Sequence, residues 1–475
     1  MPTLLPIALA VFAMADPPAP APSAFDVVSA VETAVADAIA NAEASVVAIS
    51  RDKSENEVTQ AIRGKSPVRD PNLDRRFARF NGIDVFDAEP MSFDYGSGVV
   101  VGNNGEILTA YHVVRGARVL RVRAVGQPSF DAEIIAADPR TDLAVIAPRL
   151  DVGEPGPKLK PITLGDSAKL RRGSFLVALG NPFNAAKDGR ASASWGILSN
   201  VARKIEPTPE DTMRRDLQLR NFPTLLQLDA KLNLGMSGGA VINMKGELVG
   251  LTTGAANVAG FDAQAGYAIP MDVVGRKVVE TLRDGKEYEH GFLGVNLDTQ
   301  YHSNRITSAE PGTPAAQGGL RVNDAILAVG DILVVDDESL VVAINSIPAG
   351  ESATLKIMRD GTAIERTVQL AKRKLVGEVI ATNRPAPWRG LRVDYTSTHI
   401  GSGVDQLRAM AREGVAVSEV ASGSEAEKAG LKEGQIISRV GEGTRVRNPV
   451  EFRKVVEALK GPVRFETDQG VITVK

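Results

Sequence analysis

A serine among glycines, a histidine at the end of an apolar run and an aspartate opening another run are the residues of this 475-residue chain whose types could together hydrolyse an amide. The serine is Ser237, in LNLGMSGGAVINMKGELVGLTT (Leu232 to Thr253). Glycine lets a backbone turn sharply and lets another group approach closely, at an entropic cost on folding. One reading of the cluster is that Gly235, Met236 and Ser237 turn backbone N–H groups toward one point, forming an oxyanion hole for a carbonyl attacked by the Ser237 hydroxyl. The other is a tight hairpin. With 45 glycines in the chain, a G-x-S-G-G match arises by chance about 0.03 times in such a sequence. Serine is a weak nucleophile until a base takes its proton, so the first reading requires a histidine and a group to orient it.

Only four histidines occur: His112, His290, His302 and His399. His112 lies in ILTAYHVVRG, where a strand-like run, Ile107 to Ala110, meets a change of pattern. Alone, a histidine there reads as structural. Asp142, in AADPRTDLAVI just before the apolar run Leu143 to Ile146, reads alone as a turn former. Together they make a more specific pattern, because the chain order His, Asp, Ser is that of chymotrypsin-type enzymes, whereas α/β-hydrolases run Ser, Asp, His.

Composition narrows the alternatives. Cysteine is absent, which removes disulfides, thiolate metal sites and cysteine nucleophiles together. With no H-E-x-x-H pair, zinc is not expected, and a net charge of -3 argues against a general nucleic-acid binder. The length suits about three domains. The N-terminus has an apolar run, Leu4 to Met14, then the small-x-small Ala13-Met14-Ala15, resembling a signal peptide over 1–15 without its basic n-region. A Pro/Ala linker follows over 16–25.

The elements that must position the three residues follow the hydrophobic pattern. An amphipathic helix is expected from Asp26 to Ala44, then a strand from Ser45 to Ser50. Arg51 to Pro90 is charged and aperiodic, and reads as a long mobile loop. From Ser92 to Pro270, short β-rich runs between turn formers suggest two β-barrels, and a helix is expected over Met271 to Arg283. Two later segments resemble each other: GFLGVNL followed by AEPGTPAAQGGLRVNDAILAVGD, and WRGLRVDY followed by VASGSEAEKAGLKEGQIISRVGE. That is the sign of a duplicated domain.

The chain resembles the HtrA (Deg) family of trypsin-like serine proteases with two C-terminal PDZ domains. The stretches that carry the resemblance are GSGVVVGNNGEILTAYHVV, DPRTDLAVI, VALGNPF, WGILS, LLQLDAKLNLGMSGGAV, GYAIPMD and the two copies. They span most of residues 92 to 475. The resemblance implies a mainly β chain: a chymotrypsin-like double β-barrel protease domain (26–288), a first PDZ domain (289–373), a linker (374–388) and a second PDZ domain (389–475). It implies His112 as general base, Asp142 as its orienting carboxylate and Ser237 as nucleophile, with the Gly235 and Ser237 amides flanking Met236 as the oxyanion hole. Met236 stands where Asn is common in the family, and Ala240 where Pro is common. The polar segment Val201 to Thr224 is richer in charge than the family's core.

The substrate pocket is expected from Lys231, Leu232, Leu234, Leu251, Thr252, Thr253 and Gly254. Lys231 occupies the position of trypsin's acidic selector, so basic side chains are poor candidates. Leu232 and Leu234 favour small or medium aliphatic residues, and an acidic preference would follow if Lys231 pointed inward. The PDZ resemblance implies peptide-binding loops at Gly291, Phe292, Leu293 and Gly294 and at Trp388, Arg389, Gly390 and Leu391, with groove helices at Asp337 to Ile347 and Pro449 to Leu459. No cofactor or metal is implied. The expected function is an ATP-independent serine endopeptidase of the cell envelope, periplasmic or otherwise exported, that degrades unfolded or damaged proteins. It would bind peptide C-termini or extended segments at its PDZ domains, assemble as a trimer or larger homo-oligomer, and have no nucleic-acid partner and no integral membrane span. The alternative is a proteolytically idle chaperone or PDZ scaffold.

Overall fold

The computed structural model describes residues 23–53, 95–182, 188–203, 224–253, 266–298, 302–375, 377–399, 409 and 412–475. The signal-like segment, most of the Pro/Ala linker, the loop after Lys53, residues 204–223 of the polar segment and Gly254 lie outside these.

The leading helix, α1 (Ala24–Glu43), starts two residues inside the expected linker because Ser23 and Asp26 form a reciprocal capping box. Six strands then form the first barrel: β1 (Val46–Lys53), β2 (Tyr95–Val100), β3 (Ile107–Ala110), β4 (Ala117–Arg123), β5 (Phe130–Asp138) and β6 (Leu143–Pro148). They pair in the order β5-β4-β1-β2-β3-β6, and β5 pairs with β6 to close the ring. The second barrel closes in the order β10-β11-β12-β9-β8-β7, from β7 (Phe175–Gly180), β8 (Ser192–Arg203), β9 (Leu225–Leu228), β10 (Ala240–Ile242), β11 (Leu248–Thr253) and β12 (Gly266–Pro270). All of β3 and β11 is buried, which is why their sequences read as continuous apolar runs rather than alternating ones.

The barrels share a core. Val99, Leu108 and Leu143 of the first lie in one apolar cluster with Leu179, Ala240, Ile242 and Leu251 of the second, and Ala38 and Ala42 of α1 cap it. Truncating a fully buried leucine such as Leu108 or Leu251 to alanine costs about 2 to 5 kcal/mol. That shared core fixes the ends of β3, β6 and β10 relative to one another. A further helix (Val273–Arg283) begins two residues later than expected, at an Asp272 cap.

The two later copies have parallel layouts and separate cores. The first packs around Leu293, Ile326, Leu340 and Leu355, and the second around Leu391, Ile437, Phe452 and Phe465. In each, a glycine with left-handed φ, Gly294 at 82° and Gly390 at 83°, leaves no room for a Cβ against a helix-capping side chain. The caps are Thr313 and Ser424, whose Cβ atoms would lie 2.4 and 2.2 Å away.

The expected linker, 374–388, carries a strand. Ile380–Ala381 adds to the edge of β5, with Ile380 opposite Ala137, and Thr382 N donates to Ile135 O at 3.0 Å. Its turn formers hid a two-residue strand too short to leave a period. At the same junction Lys372 bonds Glu287, Glu289 and Asp394. Burial alone would lower the Lys372 ammonium, but these carboxylates outweigh it and raise it.

Candidate active site

His112 sits in a four-residue helix, Tyr111–Val114, directly after β3. Its backbone N–H donates to Asp142 Oδ1 at 3.0 Å, and its ring Nδ1 lies 2.8 Å from Asp142 Oδ2. Tyr111 N donates to Asp142 O at 2.8 Å. One aspartate thus holds two consecutive residues. The Asp142 side chain is 5% exposed and that of His112 30%, so the carboxylate is dry while one edge of the ring stays open. With Nδ1–H donating to the carboxylate, the Nε2 lone pair is left to accept a proton, the tautomer following from the partner. Asp142 has φ 54°, an uncommon conformation for a non-glycine residue that aspartate tolerates better than most.

Arg51 fixes the helix from behind. Its Nη1 donates to Arg115 O at 2.5 Å and to His112 O at 3.5 Å, meeting carbonyls that a short helix leaves unpaired. The sequence places Arg51 at the start of the charged loop, whereas here it belongs to β1 and is 6% exposed.

The serine turn is held by backbone and by three hydroxyl-bearing residues. Ser97 N donates to Ser237 O at 2.8 Å. The Ser97 hydroxyl donates to Gly235 O at 2.7 Å and accepts from Asn181 N at 2.8 Å, while Thr109 Oγ1 donates to Ser97 O. Thr252 Oγ1 donates to Met236 O and accepts from Gly239 N. Gly238 has φ 82°, and a Cβ there would come 2.2 Å from Ser97 O, so the glycine is required at that position.

Met236 N donates to Asn233 O, whereas the N–H groups of Gly235 and Ser237 donate to no described group. Those two amides are available to an oxyanion. Met236 is 2% exposed and its Sδ accepts from Asn233 N at 3.4 Å, so its bulk points inward and leaves the approach to Ser237 clear.

The structure brings the backbone of the serine turn close to the short helix that carries His112. A Cβ on Gly96 would meet Val113 Cγ1 at 2.6 Å and Ser237 O at 3.2 Å, which places the serine turn next to the residue following His112. The Ser237 hydroxyl makes no hydrogen bond among the described residues. Catalytic bonds are often long in unliganded enzymes and tighten with substrate.

The other expected site residues divide. Lys231 is exposed, and Leu232 and Leu234 are half-buried. Leu251 belongs to the shared core and Thr252 braces the serine turn, so these two, expected on the pocket wall, instead support it from behind. Thr253 is buried with its hydroxyl unpaired among the described residues. In the first copy, Gly291 and Phe292 pair with Lys372 and Ala371, and Leu293 is buried. In the second, Leu391 opens the strand Leu391–Tyr395, and the Arg389 guanidinium donates to Val474 O and Gly461 O and lies over Trp388.

Ser97, Thr109 and Arg51 are working residues that sequence reading does not assign, and it puts Thr252 on the pocket wall instead of at the serine turn. Ser97 had a signal, its position between Gly96 and Gly98. Thr109 and Arg51 had none.

Comparison with known proteins identifies two of the domains. A trypsin-like peptidase domain matches residues 96–251 and a PDZ domain residues 291–370. Periplasmic serine endoprotease DegP of Escherichia coli (strain K12) is 28% identical over 345 residues, covering 65% of this chain and 68% of that one. Periplasmic pH-dependent serine endoprotease DegQ of the same strain is 30% identical over 313 residues, covering 63% and 64%. A probable periplasmic serine endoprotease DegP-like of Brucella suis is 30% identical over 320 residues, covering 65% and 58%. Among solved structures, the HtrA-type protease AlgW with tripeptide shares the fold at a TM-score of 0.50 and 23% identity, covering 72% of this chain and 98% of that one. No helix among the described residues is long and apolar enough to cross a membrane.

Proposed function

The chain belongs to the HtrA (Deg) family of trypsin-like serine proteases and carries a PDZ domain, and from that premise we propose that it hydrolyses unfolded or damaged proteins in the cell envelope with Ser237 as nucleophile, His112 as general base and Asp142 as the carboxylate that orients it. The relatives' periplasmic endoprotease activity supports the compartment and the reaction. The observation that carries the residue roles is the doubly bonded Asp142–His112 pair near a serine turn whose two outer amides donate to no described group.

In the forward step the Ser237 hydroxyl attacks a peptide carbonyl while His112 Nε2 takes its proton. The imidazolium then carries its charge beside the buried Asp142 carboxylate. The tetrahedral oxyanion accepts from the Gly235 and Ser237 amides, each such donor lowering the barrier by about 2.7 to 4 kcal/mol. His112 returns its proton to the leaving amine, and water repeats the cycle on the acyl-enzyme.

The side chain on the acyl side of the scissile bond would meet Leu232. A Cβ on Gly266 would come 2.8 Å from Leu232 Cγ, so that glycine keeps the leucine wall open. With Lys231 exposed, a small or medium aliphatic residue fits this wall better than an acidic one. The first PDZ domain would bind a peptide terminus or an extended segment by strand addition, the second copy would be a further PDZ domain, and the chains would assemble as a homo-oligomer. Casein digestion tests the reading: the natural chain is expected to cleave it and Ser237→Ala to leave it intact. Cleavage by the serine variant would overturn the assignment.

A further inference from the structure

The turn that carries Asp142 is held by residues outside the site described above. Asp138 ends β5 and is 2% exposed. Its Oδ1 accepts from Arg140 N at 3.0 Å and its Oδ2 from Thr141 Oγ1 at 2.8 Å. The third donor comes from about 150 residues away in sequence: His290 Nε2 lies 2.6 Å from the same Oδ2. The His290 side chain is 0% exposed, and the residue immediately precedes Gly291, where the loop of the first PDZ domain begins.

Several contacts keep the His290 ring in place. The Tyr288 ring meets it edge-on at 4.8 Å between centroids, and His290 O accepts from Arg373 N at 2.8 Å. Tyr288 OH donates to Asn345 O at 2.6 Å, and Arg140 Nη2 lies 3.5 Å from Asn345 Oδ1. With Nε2–H donating to the carboxylate, His290 Nδ1 is left as a bare acceptor, which has no partner among the described residues. Burial alone would raise the Asp138 carboxyl; the His290 ring, the Thr141 hydroxyl and the Arg140 amide outweigh it and hold it below the ordinary carboxylate value.

We propose that His290 is a positioning residue for peptide hydrolysis, acting through Asp138 and the Thr141 turn to hold Asp142 against His112. The inference rests on the proposed roles of His112, Asp142 and Ser237. A left-handed aspartate persists only where its surroundings over-determine it, and both residues before Asp142 are tied to Asp138. Removing the His290 donor leaves a buried carboxylate short of a partner, and it can recover one only by shifting toward the turn. The chain of bonds His290, Asp138, Thr141, Asp142, His112 thus makes the start of the first PDZ domain part of the support for the hydrolytic site.

The test uses the full chain and a short chromogenic peptide. His290→Met keeps bulk and removes the donor, whereas His290→Gln returns an N–H near the position of Nε2. Thr141→Val cuts the next bond while leaving His290 paired, and it carries the test if His290→Met fails to fold. At melting temperatures matched to the natural chain, His290→Met is expected to lower kcat by about tenfold to a hundredfold with KM within about twofold. Thr141→Val is expected to act in the same direction, and His290→Gln to recover most of the loss. A natural chain that is active through Ser237, with kcat unchanged in folded His290→Met or Thr141→Val, would overturn this inference alone. A natural chain without Ser237-dependent hydrolysis would overturn it together with the proposed function.

Discussion

Replacing Ser97 by alanine removes one hydroxyl, and the geometry gives that hydroxyl two tasks. It donates to Gly235 O at 2.7 Å and accepts from Asn181 N at 2.8 Å, at a site with 0% exposure. A net hydrogen bond contributes about 1 kcal/mol, and a buried group left unpaired costs about 1 to 3 kcal/mol. Ser97→Ala should therefore destabilise the protease barrels by about 2 to 4 kcal/mol, a large share of a domain's 5 to 15 kcal/mol, about the usual range. The catalytic effect has a separate origin. Gly235 O is one peptide from the Gly235 amide, so freeing the carbonyl lets that donor turn away. Loss of one oxyanion donor costs about a hundredfold to a thousandfold in kcat, and partial misalignment correspondingly less, so a fall of about tenfold to a hundredfold is expected. The chain has two tryptophans, Trp195 and Trp388, and Trp195 lies in β8 of the second barrel. In a Trp388→Phe background, urea unfolding followed by fluorescence reports on the barrels, and peptide kinetics on the same samples give kcat. An unmoved unfolding midpoint with kcat within about twofold of the parent would refute the reasoning.

Four other outcomes follow from the same geometry. Asp142→Asn should keep the fold but lower kcat by about four orders of magnitude, because an amide can hold His112 in the wrong tautomer; circular dichroism with peptide kinetics checks both halves. Gly266→Val should crowd Leu232 and depress cleavage after Leu or Val more than after Ala, which cleavage-site mapping in a denatured digest will read, while Lys231→Ala leaves the map unchanged. Arg51→Met should lower the melting temperature and kcat together, since it uncaps the helix bearing His112, as differential scanning calorimetry beside the kinetics will measure. In the first PDZ domain, burial raises the Asp324 carboxyl, but Arg359, bonding both its oxygens at 2.8 and 2.7 Å, outweighs this and lowers it. A depressed carboxylate stabilises above its unfolded value and loses that contribution as pH falls through the folded one. Urea midpoints should therefore drop in acid more steeply for the natural chain than for Asp324→Asn.

What the sequence makes legible here is what the backbone must do locally. Ser237 stands among glycines because its turn needs left-handed φ and close approach to Ser97, and that need is written into consecutive residues. Asp142 and His112 were legible as a pair only through chain order, since each alone fits a structural role. The twin layouts of the later copies could be read because each repeats its turn formers in register. Contacts between distant segments could not be read. Arg51 looks like the start of a charged loop because its partners, the carbonyls of His112 and Arg115, are brought to it only by pairing of β1 with β4. Ile380–Ala381 looks like linker because two residues carry no period, and its strand character comes from the free edge of β5. Leu251 and Thr252 fall next to the expected pocket in sequence, but β11 is buried on both faces, which turns them into core and brace.

The claim that most depends on the whole arrangement is that Ser237 is a nucleophile activated by His112. A fluorophosphonate probe, which phosphonylates an activated serine hydroxyl with loss of fluoride, followed by peptide mass mapping of the natural chain and of His112→Ala, tests it directly. A single covalent adduct on Ser237 is expected in the natural chain, and its near-complete loss in His112→Ala with the fold retained. An adduct on another residue, or equal labelling of Ser237 without His112, would contradict that claim.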